Sequence, residues 1–226
     1  LTANRSRRVL LPPGPVDIVY RADVNVDSTG FDPNVVSEFA FGDLPMEALE
    51  FVGPSRYCPS DTFTEFTFDT FGHLAGGYSR ITAICDWISS NIAYQQGSSG
   101  PSTDAGQAFQ AKQGVCRDFA HLGISLTRAA GVPARYASVY ADRLVPQDFH
   151  AVFEAYLQGP SGGRWFAFDP TRMSSPDATV RIAVGRDAAD VAFAWPQGEV
   201  DSSPPSVWAS TEGRSDGTIT QRAITD

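Results

Sequence analysis

Residues 114–133 have the sequence GVCRDFAHLGISLTRAAGVP. Its apolar residues recur at intervals of three and four, a spacing that predicts one buried helical face. The stripe consists of Phe119, Leu122, Gly123, Leu126 and Ala130. Gly131, followed two residues later by Pro133, is a typical end signal for a helix. We therefore predict a helix over residues 116–130 that packs one face on the rest of the protein.

Three strand-like segments follow this helix in quick succession. They cover residues 134–141, 149–157 and 165–169. The linker at 158–163 has the sequence QGPSGG, and its glycines and proline favour a turn, so the last two strands are predicted to form a hairpin.

Two further helices are predicted before residue 114. Isoleucines at positions 81, 84, 88 and 92 share one face with Tyr78 and Cys85, which indicates an amphipathic helix over residues 78–92. Asp104 and Gln107 stand three residues apart, the spacing of a capping box, and predict a short helix that ends before Gly114.

The first third of the chain is expected to be rich in β structure. Apolar residues occupy every second position from Val16 to Val26, a pattern that predicts a strand with one buried face. Phe63, Phe66 and Phe68 suggest another strand or sheet edge, and residues 46–51 a short helix. After Pro196 we expect little regular structure, because Ser, Pro, Asp and Gly dominate the sequence from Met173 onward.

Composition and charge narrow the function classes. The chain has 226 residues, enough for one to two domains at roughly 150 residues each, and its 42% hydrophobic residues fit a folded protein. The 17 Lys and Arg against 26 Asp and Glu give a net charge of −9, which argues against binding a nucleic-acid backbone.

No apolar run approaches the roughly 18 to 20 residues that would span a bilayer, and the run at residues 9–11 is too short for a signal peptide. The three cysteines form no CxxC pair and are too few for a disulfide framework. This cysteine usage suggests a reducing compartment, so we expect a cytoplasmic location.

Cys116 begins the helix predicted over residues 116–130. A thiol in that position faces unpaired backbone N–H groups and the positive end of the helix dipole, and both favour the nucleophilic thiolate. The same N–H groups could hold the oxyanion that forms when a thiolate attacks a carbonyl carbon. The alternative is that Cys116 is a buried small apolar residue, as a lone cysteine usually is.

His150 opens one strand of the predicted hairpin, and Asp169 closes the other. If Leu157 pairs with Gly162, the same register pairs His150 with Asp169, and their Cβ atoms lie about 5 Å apart. A carboxylate beside one imidazole nitrogen fixes the tautomer and supports the imidazolium, which is the orienting role in a catalytic triad. The alternative is a coincidental surface pair.

The other candidate residues carry weaker signals. His121 is interpreted as a packed core or helix-surface residue, and Cys85 and Cys58 as structural. Cys116, Asp118 and His121 match no zinc-ligand spacing, so no metal site is predicted. Gly-rich phosphate or dinucleotide motifs and the GxSxG motif are absent from the sequence.

Four segments carry a resemblance to a known family. They are GVCRDFA at 114–120, RAAGVPAR at 128–135, DFHA at 148–151 and FDPT at 168–171. In this order and spacing they resemble the transglutaminase-like superfamily, and more narrowly its bacterial members. SRYCPSD at 55–61 and GRDAADV at 185–191 are also similar to that bacterial group.

The resemblance implies a papain-like α+β core in which the catalytic helix packs on an antiparallel sheet, with a smaller β region at the N-terminus. It implies that Cys116 is the nucleophile, His150 the general base and acid, and Asp169 the orienting carboxylate. Such enzymes often take a second oxyanion donor from a side chain upstream of the cysteine. Tyr94 is the candidate here, and the alternative is a packed aromatic that closes the helix.

We expect an N-terminal β-rich region at 1–74, the catalytic core at 75–172, and an irregular extension at 173–226 that packs on the core. The implied chemistry is acyl transfer through a cysteine thioester, with hydrolysis of a peptide or amide preferred. The alternatives are transfer to an amine, a non-enzymatic protein-interaction module on the same fold, and a thiol acyltransferase of the arylamine acetyltransferase kind, whose RGG-type cysteine context is absent. No cofactor is implied; the expected partner is a peptide or protein substrate, not nucleic acid or a membrane, and the oligomeric state stays open.

Overall fold

An antiparallel sheet forms the framework of the protein. The computed structural model describes residues 4–26, 29–142, 144–175, 178–210 and 222–223, with backbone alone at 29, 222 and 223. The strands in these ranges are β1 Thr29–Gly30, β2 Ala93–Tyr94, β3 Gln113–Gly114, β4 Ala134–Ala141, β5 Phe149–Gly159, β6 Gly162–Phe168, β7 Thr179–Gly185 and β8 Arg222–Ala223. The main sheet has the order β1-β8-β6-β5-β4-β7, while β2 and β3 form a separate parallel pair.

Helices that precede β4 in the chain pack on one another and on this sheet. Their bounds are α1 Met46–Leu49, α2 Thr64–Phe71, α3 Tyr78–Asn91, α4 Ala105–Ala111 and α5 Cys116–Ala129. Helix α5 is central: most of its residues are buried, and it packs against β5. The approach is close at Gly123, where a Cβ atom would lie 2.5 Å from a ring carbon of Phe153, so only glycine fits. The result is the α+β arrangement of a helix on an antiparallel sheet.

The elements that flank the site agree with the sequence expectations. Helices α3 and α5 begin where the apolar stripes predict and end one residue earlier. Asp104 caps α4 in a capping box with Gln107, as the spacing predicted. None of the helices in the described ranges is long and apolar enough to cross a membrane.

The expectation of a β-rich N-terminal region is wrong. Residues 16–26 are extended but make no strand, and their apolar side chains are exposed, from 42% at Val16 to 73% at Tyr20. The alternation predicts which face of a strand would be apolar. These residues pair with no strand of the described residues, so their apolar side chains stay in contact with solvent. Phe66 and Phe68 lie in helix α2, because Phe63, Phe66 and the buried Phe71 follow helical rather than strand spacing.

The irregular extension expected at 173–226 is also wrong in part. Strand β7 pairs antiparallel with β4 at the edge of the sheet, and Val180, Ile182 and Val184 supply the alternation. This short pattern lies in a stretch rich in Ser, Pro and Asp, whose composition points to a loop. Strand β8 pairs with β1 and β6, and residues 211–221 and 224–226 lie outside the described residues.

Candidate active site

Cys116 is the first residue of α5 and is half-buried. Val115, the residue before it, is extended, and its backbone N–H donates to the buried carboxylate of Asp118 over 2.8 Å. Asp118 also accepts a hydrogen bond from Ser99, in the loop that follows β2. These bonds fix the first turn of the helix with the thiol at its N-terminal end, where the dipole favours negative charge.

The structure brings His150 and Asp169 together. His150 Nε2 lies 2.9 Å from Asp169 Oδ2, and both side chains are buried. The hairpin register differs from the predicted one: Leu157 pairs with Arg164, a shift of two residues. Because side chains alternate with period two, this shift keeps His150 and Asp169 on one face as diagonal neighbours.

The carboxylate of Asp169 is held by the turn at residues 169–174. Its Oδ1 accepts hydrogen bonds from the backbone N–H and the hydroxyl of Thr171, over 2.9 and 2.6 Å. Its Oδ2 accepts from the backbone N–H and the hydroxyl of Ser174, both over 2.8 Å, in addition to His150. Burial would raise the pKa of Asp169, but the bond to His150 and the donors of Thr171 and Ser174 lower it below its usual range.

The ring of His150 has two neighbours that favour its charged form. Burial alone would lower the pKa of His150, but the hydrogen bond to Asp169 and the interaction with the Cys116 thiol outweigh it and raise the pKa to about 9. Because Nε2 is engaged by Asp169, Nδ1 is the nitrogen left for the thiol, and it makes no hydrogen bond with the described residues. The arrangement can hold a thiolate, an imidazolium and a carboxylate in series.

Tyr94 also interacts with Cys116. Strand β2 pairs Tyr94 with Gly114 of β3, two residues before Cys116. Burial raises the pKa of Tyr94 to about 12, the Cys116 thiol acts in the same direction, and the Cys116 backbone N–H acts in the opposite one. The phenol thus interacts with both the thiol and the backbone N–H of Cys116, and its ring also packs on that of Phe119, with 5.7 Å between the ring centroids.

The other two thiols are fully buried. Burial raises the pKa of Cys58 to about 12 and that of Cys85 well above its ordinary value. His121 is buried and neutral: burial lowers its pKa to about 3, and its Nε2 accepts the Ala188 N–H over 3.1 Å. Asp118 and His121 thus have other partners, and they do not converge with Cys116 on a metal.

Residues for which the sequence predicted no role in the site support it. Thr171 and Ser174 hold Asp169, and Asp118 holds the start of α5. A hydroxyl two residues after an aspartate is a turn signal that could have identified Thr171. Ser174 has no such signal, because it reaches the carboxylate only when the whole turn is folded.

Comparisons with known proteins agree on one family. A family model of the transglutaminase-like superfamily matches residues 65–170. A proposed cysteine protease from Cytophaga hutchinsonii, known from its crystal structure, is 37% identical, with a TM-score of 0.71 over 85% of this chain and 68% of that one. An uncharacterised protein of Mycobacterium leprae is 28% identical over 177 residues, which is 74% of this chain and 63% of that protein. One of Mycobacterium tuberculosis is 35% identical over 115 residues, 46% of this chain and 37% of its own length. The chain thus spans less than two thirds of these mycobacterial proteins.

Proposed function

Because this chain belongs to the transglutaminase-like superfamily, we propose that it is a thiol-dependent acyl-transfer enzyme that hydrolyses peptide or amide bonds. In this proposal Cys116 is the nucleophile, His150 the general base and acid, and Asp169 the orienting carboxylate. The observation that carries it is the contact of His150 Nε2 with Asp169 Oδ2 at 2.9 Å, which leaves Nδ1 for the thiol.

Acylation begins when the thiol proton passes to His150 Nδ1 and the sulfur attacks the substrate carbonyl carbon. The C–S bond forms, and the carbonyl oxygen becomes an oxyanion that the Cys116 N–H and the Tyr94 hydroxyl can stabilise. The intermediate then collapses: the C–N bond breaks, and His150 gives its proton to the leaving amine. Asp169 stays ionised and keeps the ring oriented while it is positively charged.

Deacylation repeats these steps with water as the nucleophile. Water gives a proton to His150 and attacks the thioester carbon, and the thiolate leaves and is reprotonated by the imidazolium. A primary amine in place of water would give a new amide. We favour water because the 37% identical relative of known structure is a proposed cysteine protease.

A panel of peptide amides and activated esters tests the proposal. We expect the unmodified chain to turn over at least one donor and Cys116→Ala to turn over none. Cys85→Ala is the matched control, because it removes a buried thiol from α3 and should keep the activity. Full activity in Cys116→Ala would refute the thiol mechanism. Adducts of an added alkylamine as the main product would instead indicate amine transfer, and partner binding by Cys116→Ala without any turnover of the unmodified chain would favour an interaction module.

A further inference from the structure

Gln147, in the loop between β4 and β5, binds a distant part of the chain through both polar atoms of its side chain. Its Nε2 donates to the backbone carbonyl of Ala209 over 2.8 Å, and its Oε1 accepts the backbone N–H of the same residue over 2.6 Å. The Nε2 group also donates to the carbonyl of Asp142 over 3.1 Å, which fixes the amide in this orientation.

The bound segment has the form of an extended peptide ligand. Val207 and Ala209 are half-buried, whereas Trp208 between them is 78% exposed, so alternate side chains face the protein. A side-chain amide that pairs with the N–H and C=O of one residue imitates the neighbouring strand of a sheet. Because both contacts are made to backbone atoms, an extended chain of another sequence could make them equally well.

This contact lies close to the candidate active site. Gln147 lies three positions before His150, and each step spans at most about 3.6 Å, so the two Cα atoms lie within about 11 Å. Next to His150, the ring of Phe149 lies 5.2 Å from that of Phe193, which is 75% exposed. Phe149 and His150 are consecutive in β5 and point to opposite faces of the sheet. A chain bound to Gln147 therefore has an apolar surface beside it, and the candidate catalytic histidine lies at the start of the same strand.

We propose that Gln147 marks a binding site for an extended polypeptide, occupied in the free protein by residues 207–210 and during turnover by the main chain of the substrate. Only the second occupant, the substrate, rests on the proposed function; the binding site itself does not. Tethering gives the internal segment an effective concentration in the millimolar range, so it competes with any peptide that binds from solution. The segment would then set the threshold concentration for substrate entry.

Binding of a fluorescein-labelled peptide with the sequence of residues 204–210 tests the site, measured by fluorescence polarisation in a Cys116→Ala background. Ala209→Pro removes the backbone N–H that Gln147 accepts and frees the site, so we expect about tenfold tighter binding than in the parent. Adding Gln147→Ala should weaken that binding about fivefold, because both contacts are lost. The matched control peptide carries an N-methyl group on the alanine equivalent to Ala209 and should bind no better to Ala209→Pro than to the double variant.

Equal binding to parent, Ala209→Pro and double variant would overturn the proposal, and so would equal binding of the two peptides. The N-methyl comparison needs no substitution at Gln147 or Ala209, so it decides the matter if either of those variants folds poorly. In the active chain the labelled peptide should raise KM and leave kcat unchanged; a peptide that binds without raising KM would remove the substrate as occupant. If no acyl substrate is found, Gln147-dependent binding still establishes the peptide site while the proposed function fails.

Discussion

Replacing Asp169 by asparagine tests the site sharply, because the two side chains have the same shape. The carboxylate accepts bonds from Thr171 on one oxygen and from Ser174 and His150 on the other. Asparagine offers one carbonyl oxygen and one NH2 group, so only one side keeps its acceptor. If the carbonyl stays with Thr171, the NH2 group faces His150 Nε2 and donates to it. The ring then carries its proton on Nδ1 and cannot take the proton of the Cys116 thiol.

The magnitude follows from the bonds lost. The half-buried backbone N–H of Ser174 loses its acceptor, which costs about 1 kcal/mol, and a charge-assisted bond to His150 contributes about 1.5 to 3 kcal/mol. We expect Asp169→Asn to lower the free energy of unfolding by about 2 to 4 kcal/mol and Tm by roughly 5 to 15 °C. Turnover should fall about 10⁴-fold, as the same change does in a serine triad through the wrong tautomer.

The assay needs no known substrate. The rate of Cys116 alkylation by iodoacetamide, followed by peptide mass mapping from about pH 5 to about pH 10, reports the thiolate. At neutral pH the unmodified protein should react faster than Asp169→Asn, because only in the unmodified protein can His150 take the thiol proton, and the two rates should converge at high pH. Ser174→Ala is the matched control: it keeps the backbone N–H and the charge, and should cost about 1 kcal/mol. An unchanged alkylation rate at neutral pH in Asp169→Asn would refute the reasoning.

Three further predictions concern the thiols, the phenol and pH. Cys116 should be alkylated faster than Cys58 and Cys85 in the folded protein, because both of those are fully buried; faster modification of either, seen by peptide mapping, would contradict the assignment. Tyr94→Phe should lower kcat about 10²-fold with little change in Tm, because it removes one oxyanion donor and leaves the Cys116 N–H; an unchanged kcat would make Tyr94 a packing residue. His150 gains charge stabilisation on folding, so its contribution to stability is complete below its unfolded pKa of about 6.5 and is lost as pH rises through about 9. The difference in unfolding free energy between the unmodified chain and Asp169→Asn, measured in urea, should shrink across that window, and a constant difference would contradict the charged pair.

The sequence predicted the helix and the hairpin of the site for a clear physical reason. Apolar stripes over residues 78–92 and 116–130 have the full helical period and strong end signals, and tertiary packing favours the same helices that these local signals predict. The hairpin register was wrong by two residues, because six linker residues allow several turns. A register error of two residues leaves each side chain on the same face of the sheet, so the predicted contact of His150 with Asp169 still forms.

Contacts between distant segments could not be predicted in this way. The alternation from Val16 to Val26 indicates a possible strand but carries no information on whether a partner strand is available. The hydroxyl of Ser174 and the amide of Gln147 depend on loops whose course no local pattern fixes. Residues 63–71 fit either a strand or a helix by sequence, because their phenylalanines satisfy both spacings. Burial of Phe71 in the folded protein favours the helix.

The buried polar residues of α5 explain why two peripheral motifs accompany the site. Near its C-terminal end, Arg128 donates to the carbonyl oxygens of Gly53 and Arg186, over 3.0 and 2.6 Å. The ring of His121 stacks on Tyr57 at 5.2 Å, and the Tyr57 N–H donates to Asp187 over 3.0 Å.

The segments 55–61 and 185–191 thus meet on the helix that carries Cys116, far along the chain from each other. A charge such as that of Arg128 is costly to bury, so its carbonyl partners must be in place whenever the helix is. The helix can therefore shift only by breaking several buried hydrogen bonds at once. In the proposed mechanism Cys116 needs this rigidity, because misplacement by about 1 Å can cost about 10² in rate.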